Sequence, residues 1–153
     1  MIKNILLLAT IVLLITSCGQ SENKNNEKTD LPETVDQPQA MESDLSDHPG
    51  LALYKQHCLI CHQADGMGVP GMNPPLVDTE WVNGPNDVLI RIVLHGMNEE
   101  IEVNGEYYDM PMAGLPHLTD REIVDILNYV RDRFGSSEVK ITEEEVSRVR
   151  AEG

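Results

Sequence analysis

The chain has 153 residues, enough for one domain with extensions, and its 26 acidic against 11 basic side chains give a net charge of −15. Binding to phosphate backbones needs basic patches, so this balance argues against nucleic acid as a partner. With only one Phe and one Trp, a conventional aromatic core is thin, which is consistent with a fold built around a flat apolar cofactor.

Residues 1–17 read as an export signal. Lys3 supplies the positive start, and Ile5 to Ile15 is an apolar run of 11 residues, short of the roughly 20 that a bilayer core of about 30 Å requires. The run ends in Ile15-Thr16-Ser17-Cys18-Gly19, which resembles the bacterial lipobox, where the cysteine is acylated and becomes the mature N-terminus. An ordinary signal peptide or a short anchor is the plainer alternative. On the lipobox reading, Cys18 is a lipidation point that holds the protein to a bacterial membrane. Residues 18–49 then form a lipidated flexible linker. Leu31, Val35, Met41 and Leu45 show no period, and eight acidic groups against two lysines make the segment self-repelling. Such a chain reaches about 30 Å on root-mean-square average.

The domain is expected over residues 50–135. Leu51, Tyr54 and Cys58 recur at helical spacing and lead into Cys58-Leu59-Ile60-Cys61-His62, the attachment pattern of c-type haem. Two thiols three apart can add across the two vinyl groups of one porphyrin, and the next residue presents its imidazole to the iron. A zinc site needs a second ligand pair, and the one other cysteine is Cys18. A thioredoxin-like disulfide needs a βαβ setting, which the flanking sequence lacks. Covalent haem attachment is an extracytoplasmic process, so the export signal and this motif support each other.

Residues 65–76, rich in Gly and Pro, predict an irregular loop in which backbone passes close to a large ligand. A second helix is expected over 86–96, with Asn86 as N-cap, Gly96 as its stop, and Leu89, Ile92 and Val93 on its buried face. Residues 101–107 alternate around Asn104-Gly105, a short-hairpin signal. Thr119 and Glu122 form a capping box that launches a helix through Ile123, Ile126, Leu127, Val130 and Phe134, closed by Gly135. Residues 136–153 are a C-terminal extension. Thr142 and Glu145 offer another capping box, and a short amphipathic helix or a frayed tail would both suit that segment.

From Leu53 to Phe134 the chain resembles a class I, single-haem cytochrome c of the bacterial lipoprotein type. The matching pieces are Cys58-Leu-Ile-Cys-His62, Asp65-Gly66-Met-Gly68, Pro74-Pro75-Leu76, Leu94-His95-Gly96, Asn104-Gly105-Glu-Tyr107-Tyr108 and Leu118-Thr119-Asp120. The resemblance implies an all-α cytochrome c fold, a few short helices wrapped around one covalently attached haem, with a possible small β-hairpin. It makes Cys58 and Cys61 the attachment points, His62 the proximal ligand, and the Pro74 carbonyl the group that orients His62. Pro74-Pro75 also reads simply as a stiff turn. For the distal ligand the family uses a methionine shortly before the last helix, and two stand here. Met110 has the following proline. Met112 has the better spacing, four after Tyr108 and six before Leu118, and is preferred, with Met110 as the alternative. Met67, Met72 and Met97 are expected to pack. His57, His95 or His117 as a second histidine ligand is a minor alternative. Trp81, Arg91 and Tyr108 are candidates for haem propionate contacts, and equally for packing or surface roles.

With two protein ligands the iron has no vacancy for substrate, and a histidine–methionine pair suits one-electron exchange. The expected protein is therefore an electron carrier, not an enzyme, on the outer face of a bacterial membrane. Its redox partners would carry basic docking patches. The alternative is the haem c subunit of a respiratory oxidase, a nitrogen-oxide reductase or a quinoprotein dehydrogenase. A peroxidase or gas sensor ranks last, because the sequence offers no separate catalytic histidine–arginine pair.

Overall fold

A computed structural model describes residues 45–153. The expected export signal, Cys18 and the linker up to residue 44 lie outside the described residues. What is described of the linker is already packed on the domain. Leu45 lies against the core, and His48 faces Asp132 at 3.4 Å and meets the Tyr129 ring edge-on at 5.4 Å. The packed unit therefore starts ahead of Gly50.

Helix α1 (Gly50–His57) runs through Cys58 into the single turn α2 (Leu59–His62). The Cys58 N–H donates to the Tyr54 carbonyl, and the His62 N–H to the Cys58 carbonyl, so the turns are nearly continuous. Helix α5 (Asp120–Phe134) starts at the expected capping box, with Thr119 and Glu122 each satisfying the other's backbone N–H. The two helices cross at Gly50, where a Cβ would stand 1.9 Å from the Asp125 carbonyl oxygen. Only a residue without a side chain lets the backbones approach so closely. Below the crossing, the Tyr54 ring meets Tyr129 at 5.3 Å and Phe134 at 5.4 Å. Three of the six aromatic residues are thus gathered at one joint.

Between these helices lie the loop 63–79, the short turn α3 (Glu80–Asn83) and helix α4 (Asn86–His95). The loop brings Pro74, Pro75 and Leu76 to the wall of a cavity, and two of its glycines serve the loop's own packing. A Cβ on Gly68 would sit 2.3 Å from the Asn73 carbonyl oxygen, and one on Gly66 would strike the Phe134 ring. They let the loop fold on itself and on α5. Asn86 is the first helical residue rather than the N-cap, which is Pro85. Its amide is occupied elsewhere, donating to Glu145 and accepting from Arg131. The buried residues of α4 are Leu89, Ile90, Val93 and Leu94, with Ile92 only half-buried.

The domain is mainly helical, but the expected all-α class is not exact. Strands β2 (Ile101–Val103) and β3 (Glu106–Tyr108) form the expected hairpin, with Asn104 and Gly105 at φ of 53° and 84°. A second, unforeseen ladder joins β1 (Gly96–Met97) to β4 (Met112–Ala113), in the register Gly96 to Ala113 and Met97 to Met112. Helix α6 (Glu143–Glu152) opens on a capping box from Thr142 and Glu145 and buries Val146 and Val149. Arg131 ties the layers together from inside the core. At 1% exposure it donates to the carbonyls of Val82, Gly84 and Val139, so the buried charge is partnered. No helix among the described residues is long and apolar enough to cross a membrane.

Candidate cofactor cavity

Walls from α2, α4, α5, the hairpin and the β1–β4 ladder enclose a cavity of about 330 Å³. Its floor is apolar, made by Leu89, Val93, Ile126, Leu127 and Val130. Cys58, Cys61, His62, Pro74, Met110 and Met112 all line it, so every residue predicted for the domain's site converges on one space. Cys18 is outside the described residues.

The two cysteines are free thiols on successive turns. Burial pushes the Cys58 thiol up to about 11, and the neighbouring Cys61 adds to the shift. Cys61 is exposed and meets the cavity at its mouth. His62 Nδ1 lies 3.1 Å from the Pro74 carbonyl oxygen. A carbonyl only accepts, so Nδ1 carries the proton and Nε2 keeps its lone pair. Burial lowers the His62 pKa, against the opposing pull of the Pro74 bond. The imidazole is held neutral, in one tautomer, with its free nitrogen available as a ligand.

The two methionines differ in how they are held. Met112 belongs to β4, opposite Met97, and packs against the core. Met110 lies between the strands and is 46% exposed. Trp81 and Tyr108 line the cavity but have protein partners. Trp81 Nε1 donates to the Glu102 carbonyl at 3.4 Å, and the Tyr108 hydroxyl donates to Glu106 Oε2 at 2.9 Å. Arg91 is away from the cavity and pairs with Glu152 at 3.0 Å. Of the histidines, His57 reaches the cavity wall, whereas His95 and His117 are not among its lining residues. Met97 lines the cavity, but Met67 and Met72 are 57% and 47% exposed and do not pack as expected.

Sequence reasoning missed Ile101, Val103 and Ala113 as wall residues. The alternation Ile101-x-Val103 carried a signal for the first two, since the inner face of a hairpin must cover something apolar. Nothing local marks Ala113, which reaches the cavity through pairing with Gly96.

The residue set suits a porphyrin. It offers an apolar slot, two thiols on its wall and one neutral imidazole whose Nδ1 is committed to Pro74. A bare metal ion has no such provision, because no group of three or more His, Cys, Asp or Glu among the described residues could hold one.

Comparison with known proteins agrees. The family described as cytochrome c oxidase, cbb3-type, subunit III matches residues 46–130. The chain is 35% identical over 116 residues to cytochrome c-552 of Thermus thermophilus, covering 70% of this chain and 78% of that protein. It is 37% identical over 111 residues to the fructose dehydrogenase cytochrome subunit of Gluconobacter japonicus, covering 68% of this chain but 22% of that one. A cbb3-type oxidase subunit CcoP from Cereibacter sphaeroides is 27% identical over 104 residues, covering 67% of this chain and 35% of its own length. With the thiol pair, the oriented imidazole and the apolar slot in one cavity, the chain belongs to the cytochrome c family of haem-bearing electron-transfer proteins.

Proposed function

We propose that this protein is a single-haem electron carrier, in which Cys58 and Cys61 would hold the haem covalently and His62 and Met112 would supply the iron ligands. The observation that carries the reading is the bond from His62 Nδ1 to the Pro74 carbonyl, made beside both thiols in an apolar cavity. When bound, haem supplies a one-electron couple, and histidine–methionine ligation raises its potential relative to weaker-donor alternatives. The chain's own residues do the rest. Pro74 fixes the His62 tautomer, so Nε2 presents a lone pair without rearrangement. The walls from α4 and α5 exclude water, which keeps the charge change between redox states in a low-dielectric setting. Met112 is preferred over Met110 because its backbone is pinned in a ladder and its side chain is turned into packing, whereas Met110 is half in solvent.

In the same reading, residues 1–17 are a lipoprotein signal peptide, Cys18 carries the lipid, and the linker to residue 49 tethers the domain on the outer face of a bacterial membrane. The C-terminal extension 136–153 completes the domain. The net charge of −15 selects redox partners with basic docking patches, so electron exchange should slow as salt rises. An exchange rate unchanged between low and physiological ionic strength removes that assignment.

The test is the absorption spectrum of ferric and ferrous holoprotein with Met112→Ala and Met110→Ala. A low-spin wild-type spectrum whose long-wavelength sulfur-to-iron band disappears only in Met112→Ala supports the carrier. Disappearance only in Met110→Ala moves the ligand and keeps the function. A high-spin wild type that takes up carbon monoxide overturns the carrier.

A second reading has its own support: several relatives are cytochrome subunits of quinone-linked alcohol dehydrogenases, of fructose dehydrogenase or of an oxidase. On that reading the protein is the haem c subunit of such a respiratory oxidase or dehydrogenase, or of a nitrogen-oxide reductase. Purification from native membranes separates the two, since a subunit arrives with a fixed partner and a carrier does not.

A further inference from the structure

The segment that runs from β4 to α5 carries the preferred distal ligand, and its two ends are held differently. At β4, the ladder fixes Met112 against Met97, and the Leu115 N–H donates to the Val93 carbonyl at 2.8 Å. Towards α5, the holding group comes from α6. Arg150 Nη1 donates to the Pro116 carbonyl at 2.9 Å, Nη2 to the Leu118 carbonyl at 2.7 Å, and Nε to Asp120 Oδ1 at 2.7 Å. One guanidinium, whose donors are set in a fixed fork, therefore spans the whole exit of the segment. Pro116 lies only four residues beyond Met112.

Helix α6 does not depend on Arg150 for its own docking. Val146 and Val149 are fully buried, Asn128 exchanges two bonds with Ile141, and Asn86 donates to Glu145 at 2.9 Å. The helix is a fixed platform, and Arg150 is what it extends to the ligand segment. The platform also lies outside the residues that match the family, 46–130.

We propose that Arg150 is a positioning residue for the distal ligand: α6 acts as a brace that keeps the Met112 segment closed over the cavity. The proposal rests on Met112 being that ligand. In this arrangement the brace restrains the backbone rather than the sulfur. Its loss shows as more frequent opening of residues 112–118, with Met112 still present to ligate.

The experiment compares holoprotein of wild type, Arg150→Ala, Arg150→Lys, Met112→Ala and Arg91→Ala. Arg91→Ala removes a different contact of α6, the pair between Arg91 of α4 and Glu152. Three quantities are read: the sulfur-to-iron band of the ferric protein, the rate at which cyanide displaces the distal ligand, and amide hydrogen exchange at Leu115 and Leu118. Arg150→Ala is expected to keep the band at neutral pH, while cyanide uptake and exchange at both amides accelerate about tenfold, the scale of one charge-assisted hydrogen bond. Arg150→Lys, which keeps the charge without the fork, should fall between, and Arg91→Ala should match wild type. If Met112→Ala loses the band while Arg150→Ala shows wild-type cyanide uptake and exchange, the brace is overturned and the ligand stands. If Met112→Ala retains the band, the ligand assignment fails and the brace with it. Should Arg150→Ala not fold, Arg150→Lys alone decides by the same readouts.

Discussion

The two sides of the cavity are built by different physics. On the His62 side, the ligand turn is an extension of α1, and α1 is fastened to α5 by a glycine-permitted crossing and a cluster of three buried rings. On the Met112 side, no helix carries the residue. A ladder of two residues per strand holds one end, and three bonds from a single arginine hold the other. The first side is held by buried area, which is lost only on unfolding. The second adds to the packing of Met112 and Leu118 a set of discrete polar contacts, each of which can open alone. The contrast teaches where ligand exchange should begin: at Met112, with the histidine side intact.

The largest expected effect tests the helical joint. Gly50→Ala places a methyl group inside van der Waals range of the Asp125 carbonyl, forces α1 off α5, and should cost about 3 kcal/mol. Urea unfolding would show this as a lower midpoint with an unchanged slope. A cost below about 0.5 kcal/mol means the joint is loose and the contrast collapses.

Next, Gly96→Ala attacks the ladder. Gly96 sits at φ 82° and ψ −173°, a region nearly closed to other residues, and a Cβ there meets the Met112 carbonyl oxygen at 2.4 Å. The expected cost is about 2 kcal/mol, with faster cyanide binding by the holoprotein. Equal destabilisation without any change in cyanide kinetics would show that the ladder does not govern Met112.

Tyr54→Phe is smaller. It removes the bond from the tyrosine hydroxyl to the Gln63 carbonyl, 2.7 Å long, at the end of the ligand turn. About 1 kcal/mol is expected, read by thermal unfolding, with the ligand spectrum unchanged because ring packing survives.

The pH dependence probes the platform on the distal side. Burial raises the Glu145 carboxyl, but bonds from Asn86 and Thr142 outweigh it and hold the group below its ordinary range. A carboxyl depressed in the folded state stabilises above its unfolded value, and the contribution is lost as pH falls through the folded one. Glu145→Gln should therefore lower the urea midpoint at pH 7, and the gap to wild type should narrow as pH falls through the folded value. A constant gap across that range would assign the effect to packing. Smallest of all, Arg91→Ala should change stability by only a few tenths of a kcal/mol, because both members of its ion pair are half exposed.

How much of this was legible in the sequence follows the same division. The ligand turn, both capping boxes and the Asn104-Gly105 hairpin are written in residues within a few positions of one another, and local pattern was enough to find them. The helical domain and the converging site residues followed from the order of those motifs. The β1–β4 ladder was not legible, since two-residue strands have no periodicity and their partner is about 16 residues away. Asn86 looked like a cap because its partners, Arg131 and Glu145, are distant in the chain. Arg131 drew no reading from the sequence, because composition cannot show that three carbonyls meet it inside the core. Distant pairing, not local propensity, is what the sequence concealed.

The crossing of α1 and α5 has one more consequence, for how the chain can change over generations. Tyr54 and Tyr129 touch across about 75 intervening positions, so most of the domain is a single loop closed by that contact. Closure entropy grows only with the logarithm of loop length, and ten further residues within it would cost about a tenth of a kcal/mol. Exposed tips such as Gly71 and Gly105, where an added Cβ meets nothing within 4 Å, are where such growth fits. The lineage can therefore lengthen and redecorate its loops to suit new partners while the five residues from Cys58 to His62 keep their spacing.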